Sequence, residues 1–436
     1  MSLAVKRRSV IWKGWLNCTG SAARQDFMPP PNWWRSAAFS CHLDHQRPGA
    51  NDNASGCATI LEVARTLQKL INEGKLPRPA RTIRFFWPPE IEGTLALLNG
   101  KPEFARRIKA AVHMDMVGGG PATEAVFHVT RGPTSLPSFV HDVAWACAEF
   151  VNEQSYKFAA TGTAEYPLVA PEGGKEPLRA EYSAYTMGSD HDVYQDSSFG
   201  IPAIYLNDWP DRYIHTNLDS PANIDPTKLK RTAFIGAASG YFLAEMTENG
   251  SAAALRYVEG FRLQRGSEIE LRAKHLSEAE AQNLNWQYLD GEIEIANSTK
   301  RIVANSITVS EISFEGAIPL KLSEGYKKSP SPRSGQAAMK FNRKNQVKGP
   351  LAVFGYDYFA EHAKAAGVGT PKLLTYEGLW GGGEEYAYEV LNFANGKRNA
   401  QEIRDAVSAE YGPIPVEMVW EYLQALEKIG VVERVK

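Results

Sequence analysis

Ala38-Phe39-Ser40-Cys41-His42-Leu43-Asp44, with Gly49-Ala50-Asn51-Asp52-Asn53-Ala54-Ser55-Gly56 shortly behind it, is the stretch that decides the fold. The first part is a short apolar run that ends in a histidine, and it reads as a strand. The second is a turn-rich loop, after which Ile60, Ala64, Leu67 and Ile71 recur at helical spacing. Working outward, Thr82–Trp87, Ala110–Met116 and Ile201–Leu206 read as strands. Segments 137–151 and 226–246 read as helices, the second begun by Asp225-Pro226. This alternation, from about residue 37 to 247, predicts an α/β domain with a largely parallel sheet. Such sheets carry their sites at the carboxyl ends of the strands.

The chain has 436 residues, with 48 Lys+Arg against 50 Asp+Glu. That length suggests two or three domains. A net charge of −2 gives no global basic field, which argues against a nucleic-acid binder. No apolar run is long enough to span a membrane. The 4 cysteines make no disulfide framework. Lys13 interrupts the apolar stretch behind Lys6, Arg7 and Arg8, a poor export signal, so a cytoplasmic protein is expected.

Residues 1–248 are expected to form the catalytic domain. Residues 249–370 read as helices and then a basic, Ser/Pro-containing loop around Lys327 and Lys328, a connecting region without an assigned role. Residues 371–436 read as a small module. One helix is opened by Tyr388-Glu389-Val390-Leu391, Ala400–Tyr411 and Val416–Ile429 follow, and the end is strand-like. That order resembles a winged helix. Its 7 Lys+Arg and 11 Asp+Glu give a net of −4, which disfavours DNA reading. Docking or homo-oligomer formation is the expected use.

The chemistry gathers at strand ends. His42 ends a strand, and Asp52 is delivered at a helix start among Asn, Ser and Gly that can hold it by local backbone hydrogen bonds. Imidazole with carboxylate is zinc-type ligation. Asp44, two residues past His42, falls on the same side of a strand and could accept the other ring N–H. The bland alternative is an N-cap aspartate beside a satisfied strand-end histidine. Cys41 reads as a small strand residue or, alternatively, a nucleophile. Glu90 and Glu92 follow the strand 82–87, Asp115 lies just before Val117-Gly118-Gly119, and His215 and Asp219 follow 201–206. A buried carboxylate without a partner is costly, and a metal ion would offset that cost. The irregular stretch 160–187, with Tyr182, Tyr185 and Met187, reads either as a pocket wall or as a surface loop.

These motifs, together with Asp115-Met116-Val117-Gly118, Gly188-Ser189-Asp190-His191 and Gly200-Ile201-Pro202-Ala203, resemble the M28 family of zinc aminopeptidases. They occur in the family's order over roughly half the chain. The resemblance implies an α/β/α sandwich around a mixed, mostly parallel sheet and a site for two zinc ions. It implies that His42 and Asp115 hold one zinc, Asp52 bridges both, and His215 holds the second. It also implies a cis peptide at Asp52–Asn53, Asp44 and Asp219 as partners of His42 and His215, and Asp190 and His191 near the substrate end.

The acidic motif departs from the family, which usually has two adjacent glutamates, one further residue and a glycine. Here the order is Glu90-Ile91-Glu92-Gly93. Glu90 falls at the general-base position. Counting back from Gly93 puts Ile91 where a ligand of the second zinc should be, whereas chemistry points to Glu92. A related branch with a Pro-Glu-x-x-Gly motif and a C-terminal winged-helix module also resembles this chain. The implied function is zinc-dependent hydrolysis of N-terminal residues from peptides or aminoacyl amides, through a metal-activated water with Glu90 as base. The alternatives are a single-zinc, glutaminyl-cyclase-like acyltransferase and a degenerate enzyme that serves in binding or regulation.

Overall fold

A computed structural model of the chain describes residues 35–303, 328, 330–353 and 356–435. The readings of the Lys6-Arg7-Arg8 segment, of Cys18 and of Lys327 fall outside them. The strand expected at 38–43 forms as β1 (Ser36–Ser40), which starts earlier and ends two residues before His42, and every residue of it is buried. The helix behind the turn-rich loop is α1 (Gly56–Asn72), and β2 (Thr82–Phe86), α2 (Glu92–Gly100) and β3 (Ile108–Asp115) follow. Next come β4 (Val126–Thr130), α3 (Val140–Thr161), β5 (Glu181–Ser183), α4 (His191–Gln195), β6 (Ala203–Trp209) and α5 (Pro226–Glu245). The side chain of Asp225 caps α5 by accepting the N–H of Thr227.

The strands form one six-stranded sheet in the order β2-β1-β3-β6-β4-β5. All neighbours are parallel except β6 and β4, which run antiparallel. The sheet is therefore mixed and mostly parallel, as expected. Strands β4 and β5 have no counterpart in the sequence reading, and α3 runs to Thr161, well past the expected end at 151. Alternation across the strands builds two cores. In register, Phe39, Val112 and Ile204 form a row on one face, and Ala38, Ala111 and Ala203 form a row on the other. The bulky row packs with α1, α3 and α5, and the alanine row packs with Ile91, Leu98, Val193 and Tyr194 from α2, α4 and the loop between β2 and α2. Gly240 lets α5 lie directly on Phe39, because a Cβ there would stand 2.2 Å from the Phe39 ring.

From β1 the chain crosses to β2 on one side, and it then returns to β3 on the other side of β1. The carboxyl ends of β1 and β3 thus flank a point where chain order reverses, the usual place for a site in such sheets.

Two long helices, α6 (Glu248–Ala273) and α7 (Glu278–Val303), open the expected connecting region. They are no free linker: Ala254, Val258, Ala296 and Ile302 join the same core as Phe39. The three C-terminal helices form, with α8 (Tyr358–Ala365) ahead of them, but the first opens at Gly383, five residues before the expected Tyr388. They are α9 (Gly383–Phe393), α10 (Ala400–Tyr411) and α11 (Val416–Lys428). Their small antiparallel sheet has β7 (Lys340–Arg343) in the middle, flanked by β8 (Asn395–Asn399) and β9 (Val432–Val435). Its central strand thus comes from before residue 371. Tyr388 donates to the Asp192 carbonyl (2.8 Å) and Arg343 pairs with Asp196 (2.8 Å), which ties this unit to α4. Among the described residues, no helix is long and apolar enough to cross a membrane.

Candidate metal centre

His42 leaves the end of β1 and is buried. Its Nδ1 lies 2.9 Å from the Asp44 carbonyl oxygen, which can only accept, so Nδ1 carries the proton. The expected partner was the Asp44 carboxylate, but that group stands 3.9 Å from the ring and instead accepts the N–H of Glu90 at 2.7 Å. The chain has already left the strand at Ser40, so the strand-face argument no longer aims Asp44.

The His42 Nε2 faces two carboxylates, Asp52 Oδ1 at 3.1 Å and Asp115 Oδ1 at 3.2 Å. Residues of the turn-rich loop bring these acids together. Asn53 Oδ1 accepts the N–H of Gly56 and of Met116, and Ser55 Oγ accepts the N–H of Val117, which stitches the loop to the end of β3. Gly56 permits the close approach, since a Cβ there would stand 2.2 Å from the Met114 carbonyl. Asp219 accepts the N–H of Asn51 (2.6 Å) and of Asp52 (3.0 Å), so its carboxylate holds the loop that carries Asp52. The Asp52–Asn53 peptide is cis.

The other oxygen, Asp52 Oδ2, faces two more imidazoles. His215 Nε2 is 3.1 Å away and His45 Nε2 is 3.2 Å away. His215 sits in the loop after β6 with a φ of 57°. That loop is tied back to Asp52's own loop, because Asn51 Nδ2 donates to Asp211 Oδ2 at 2.8 Å. Two donor groups result, His42-Asp52-Asp115 and His45-Asp52-His215, with the ligand atoms in each within 4.8 Å of one another. Ligands about 2.0–2.1 Å from a tetrahedral zinc stand about 3.3 Å apart. The observed spacings of 3.1–3.2 Å fit that geometry.

The electrostatics agree with a cation site. Burial opposes charge on His42, yet Asp115 and Asp52 push its pKa up to about 12. Burial likewise opposes charge on Asp52, but His42, His45 and His215 hold it below the ordinary value. Burial, and then Asp115, raise Glu90 to about 8.

Glu90 is placed by its backbone, with a serine nearby. Ser189 Oγ lies 2.8 Å from Asp115 Oδ2 and 3.2 Å from Glu90 Oε1. Its single proton goes to the nearer acceptor, so His113 Nε2–H donates to Ser189 (2.9 Å) and His113 Nδ1 accepts from Ser40 (3.0 Å). All three groups are satisfied by a neutral His113, and burial holds its pKa well below the usual value.

The structure does not bring Glu92 to either donor group. Glu92 is exposed in the first turn of α2, while Ile91 points into the core with Leu98 and Tyr194. Ile91 turns the chain with a φ of 55°, and its N–H is held by Asp190 Oδ1 at 2.7 Å. Asp190 therefore fixes the acidic motif from beneath. Burial raises its pKa to about 7. His191 is fully buried, stacks on Tyr205 at 3.9 Å, and is pushed down to about 4 by burial. Neither residue reaches a substrate from there. Cys41 is buried just past the end of β1, with its Sγ 3.0 Å from that of Cys57, so it is not the strand residue that was expected. Tyr185 is buried and Tyr182 stacks on Trp145, so both anchor their loop in the core.

Three residues of the site were not read from the sequence: His45, Ser189 and His113. A cavity of about 810 Å³, lined by Arg131, Tyr182, Arg265 and Arg272 among others, holds none of the donors. The two donor groups lie at the sheet's carboxyl edge instead.

Residues 31–239 match Peptidase family M28. This stretch is a peptidase family M28 domain. Within the chain, 77 residues are 40% identical to leucine aminopeptidase 1 of Fusarium vanettenii, covering 16% of this chain and 19% of that protein. A further alignment, to leucine aminopeptidase 1 of Ajellomyces capsulatus, is 28% identical over 193 residues, 41% of this chain and 42% of that one. The chain thus spans less than half the length of either relative. A zinc aminopeptidase structure from Bacillus subtilis is similar at a TM-score of 0.38 and 18% identity, over 52% of this chain and 49% of that chain.

Proposed function

We propose that the chain is a zinc-dependent aminopeptidase that removes N-terminal residues from peptides or aminoacyl amides. The observation that carries this is Asp52, a buried carboxylate faced by imidazole nitrogens on both of its oxygens, inside an M28 domain. His42, Asp52 and Asp115 would hold one zinc, and Asp52 and His215 would take part in holding a second. Bound zinc supplies Lewis acidity, which makes a water acidic near neutral pH and polarises a carbonyl. The chain's own residues do the rest. Asp44 holds the Glu90 backbone, and the Glu90 carboxylate would take a proton and return it to the departing amine.

The test is a panel of aminoacyl fluorophores and their N-blocked counterparts, read with and without chelator. Hydrolysis of the free-amine set alone, abolished by chelator and restored by zinc, is the expected result. Equal cleavage of blocked substrates, or indifference to chelator, would overturn the reading. A glutaminyl peptide in the panel separates the acyltransfer alternative: release of free glutamine marks a hydrolase, and loss of ammonia with an intact chain marks a cyclase.

A further inference from the structure

We infer that His45 is a metal ligand and replaces the glutamate that the acidic motif lacks, so that the second site is nitrogen-rich. The inference rests on the two-zinc reading above and adds a residue to it. It begins from a gap. At the position where a second acidic ligand is expected stands Ile91, which is 2% exposed and packed in the core, and the neighbouring Glu92 is exposed on α2. With Asp52 and His215 alone, the second site would have two protein ligands, fewer than the three or four that zinc sites in proteins have.

His45 supplies the third from a different direction. It lies in the loop between β1 and the turn-rich motif, and its Nε2 stands 3.2 Å from Asp52 Oδ2. The His215 Nε2 meets the same oxygen at 3.1 Å, with the two ring centroids 5.7 Å apart. Two imidazoles thus converge on one carboxylate oxygen.

The hydrogen bond at the far side of the ring fixes which nitrogen is available. His45 Nδ1 contacts the carbonyl of Arg47, which can only accept, so in the neutral ring Nδ1 carries the proton and Nε2 presents a lone pair toward Asp52. The longer approach of the Arg47 N–H, at 3.3 Å, cannot coexist with that donation. His42 does the same one turn of chain earlier, with Nδ1 on the carbonyl two residues ahead and Nε2 on the other oxygen of Asp52. The two histidines are therefore equivalent devices, one for each face of the bridging carboxylate. A lone pair aimed at a carboxylate oxygen about 3 Å away is unfavourable unless a proton or a metal ion lies between them, and a bound metal ion would take the proton's place on both histidines.

The exchange has a chemical consequence. Two imidazoles and one carboxylate form the ligand set of single-zinc hydrolytic sites, and by themselves suffice to hold a catalytic zinc. The first group, with one imidazole and two carboxylates, is richer in oxygen. Imidazole favours zinc, copper and nickel, and carboxylate tolerates manganese and magnesium. The second site is also one charge unit more positive than it would be with a glutamate in the place of His45. It is the more open of the two, since the side chains of His45 and His215 are 20% and 45% exposed while that of His42 is 2% exposed.

Zinc binding itself provides the test. The protein, stripped with chelator, is titrated with zinc by calorimetry as wild type, His45→Ala and His45→Glu, and metal content is counted by plasma emission. The partly exposed position makes a folding failure avoidable, and a thermal melt checks it. The expected result is two ions for wild type. His45→Ala keeps the first ion and binds the second at least about a hundredfold more weakly. His45→Glu recovers most of that loss, which a purely structural role would not allow. Cobalt loading gives a second readout, because the visible spectrum of the second ion should change in His45→Glu and that of the first should not. If wild type and His45→Ala bind two ions equally well, the assignment falls and the zinc reading stands. If wild type binds one ion, the assignment also falls. If wild type binds none, both fall.

Discussion

Asp142 and Glu292 are buried between α3, α6 and α7 with Arg265 set between them, its Nε 2.6 Å from Glu292 and its Nη1 against Asp142. Asp52 and Asp115 are buried at the carboxyl edge of the sheet, where the ion pairs described for them are all to histidine. Both clusters carry acid into the interior. The first brings its own permanent cation, which pairs with both acids and ties α6 and α7 to α3. The second is surrounded by groups that donate lone pairs, and it is complete only with a cation from outside. On the proposed function, the buried acid cluster with an arginine belongs to the architecture, and the one ringed with histidines would hold the metal.

The sharpest way to break this comparison is to remove one acid from each cluster's logic. Asp52→Ala should lose both zinc ions and lower kcat/KM by about 10⁴-fold or more, with a thermal melt of the stripped protein little changed. Zinc content and aminoacyl-fluorophore hydrolysis check it; full metal content in that variant would put Asp52 outside the centre. Arg265→Met should do the reverse. It leaves Asp142 and Glu292 facing each other without a cation and should cost about 3–5 kcal/mol of stability in urea unfolding, with two zinc ions still bound by the folded fraction. Stability near wild type would mean that the arginine is not what neutralises these acids.

A smaller effect separates the two kinds of buried histidine. His42 is pushed up by its carboxylates, whereas His191 is pushed down to about 4 by burial. A histidine lowered in the fold takes up protons more readily when unfolded. Its contribution to stability is therefore present above its ordinary value near 6.5 and is lost as pH falls toward 4. Between pH 7 and pH 5 this should cost wild type about 2 kcal/mol that His191→Gln does not lose. Unfolding at the two pH values measures it, and identical pH slopes would show that His191 is not held neutral.

Much of the centre could be read directly from the sequence, because His42, Asp52, Asp115 and His215 sit in short motifs whose neighbours do a local job. Asn53 and Ser55 fasten the loop to β3, and that fastening is encoded within a few residues. His45 stands three residues from His42 and was in plain view, but what aims it is its bond to Arg47 and the fold of a loop outside any regular element. Ser189 and His113 reach Asp115 only through packing between α4, β1 and β3, and no spacing in the sequence announces that. The motif at Glu90 misled in a different way. Its chemistry favoured Glu92, and the left-handed turn at Ile91 decided the outcome by sending the next residue out along α2.

The small C-terminal sheet has its middle strand, β7, drawn from ahead of all three helices that pack on it, with the last strand, β9, lying beside it. During synthesis β7 emerges first and must wait for β8 and then β9 before its backbone donors and acceptors are paired on both sides. A ribosome-bound chain that has reached α11 therefore still carries an open strand edge, and the unit closes only when residues 432–435 arrive. Cutting the gene at the apparent start of the helices would remove the strand that its neighbours are waiting for.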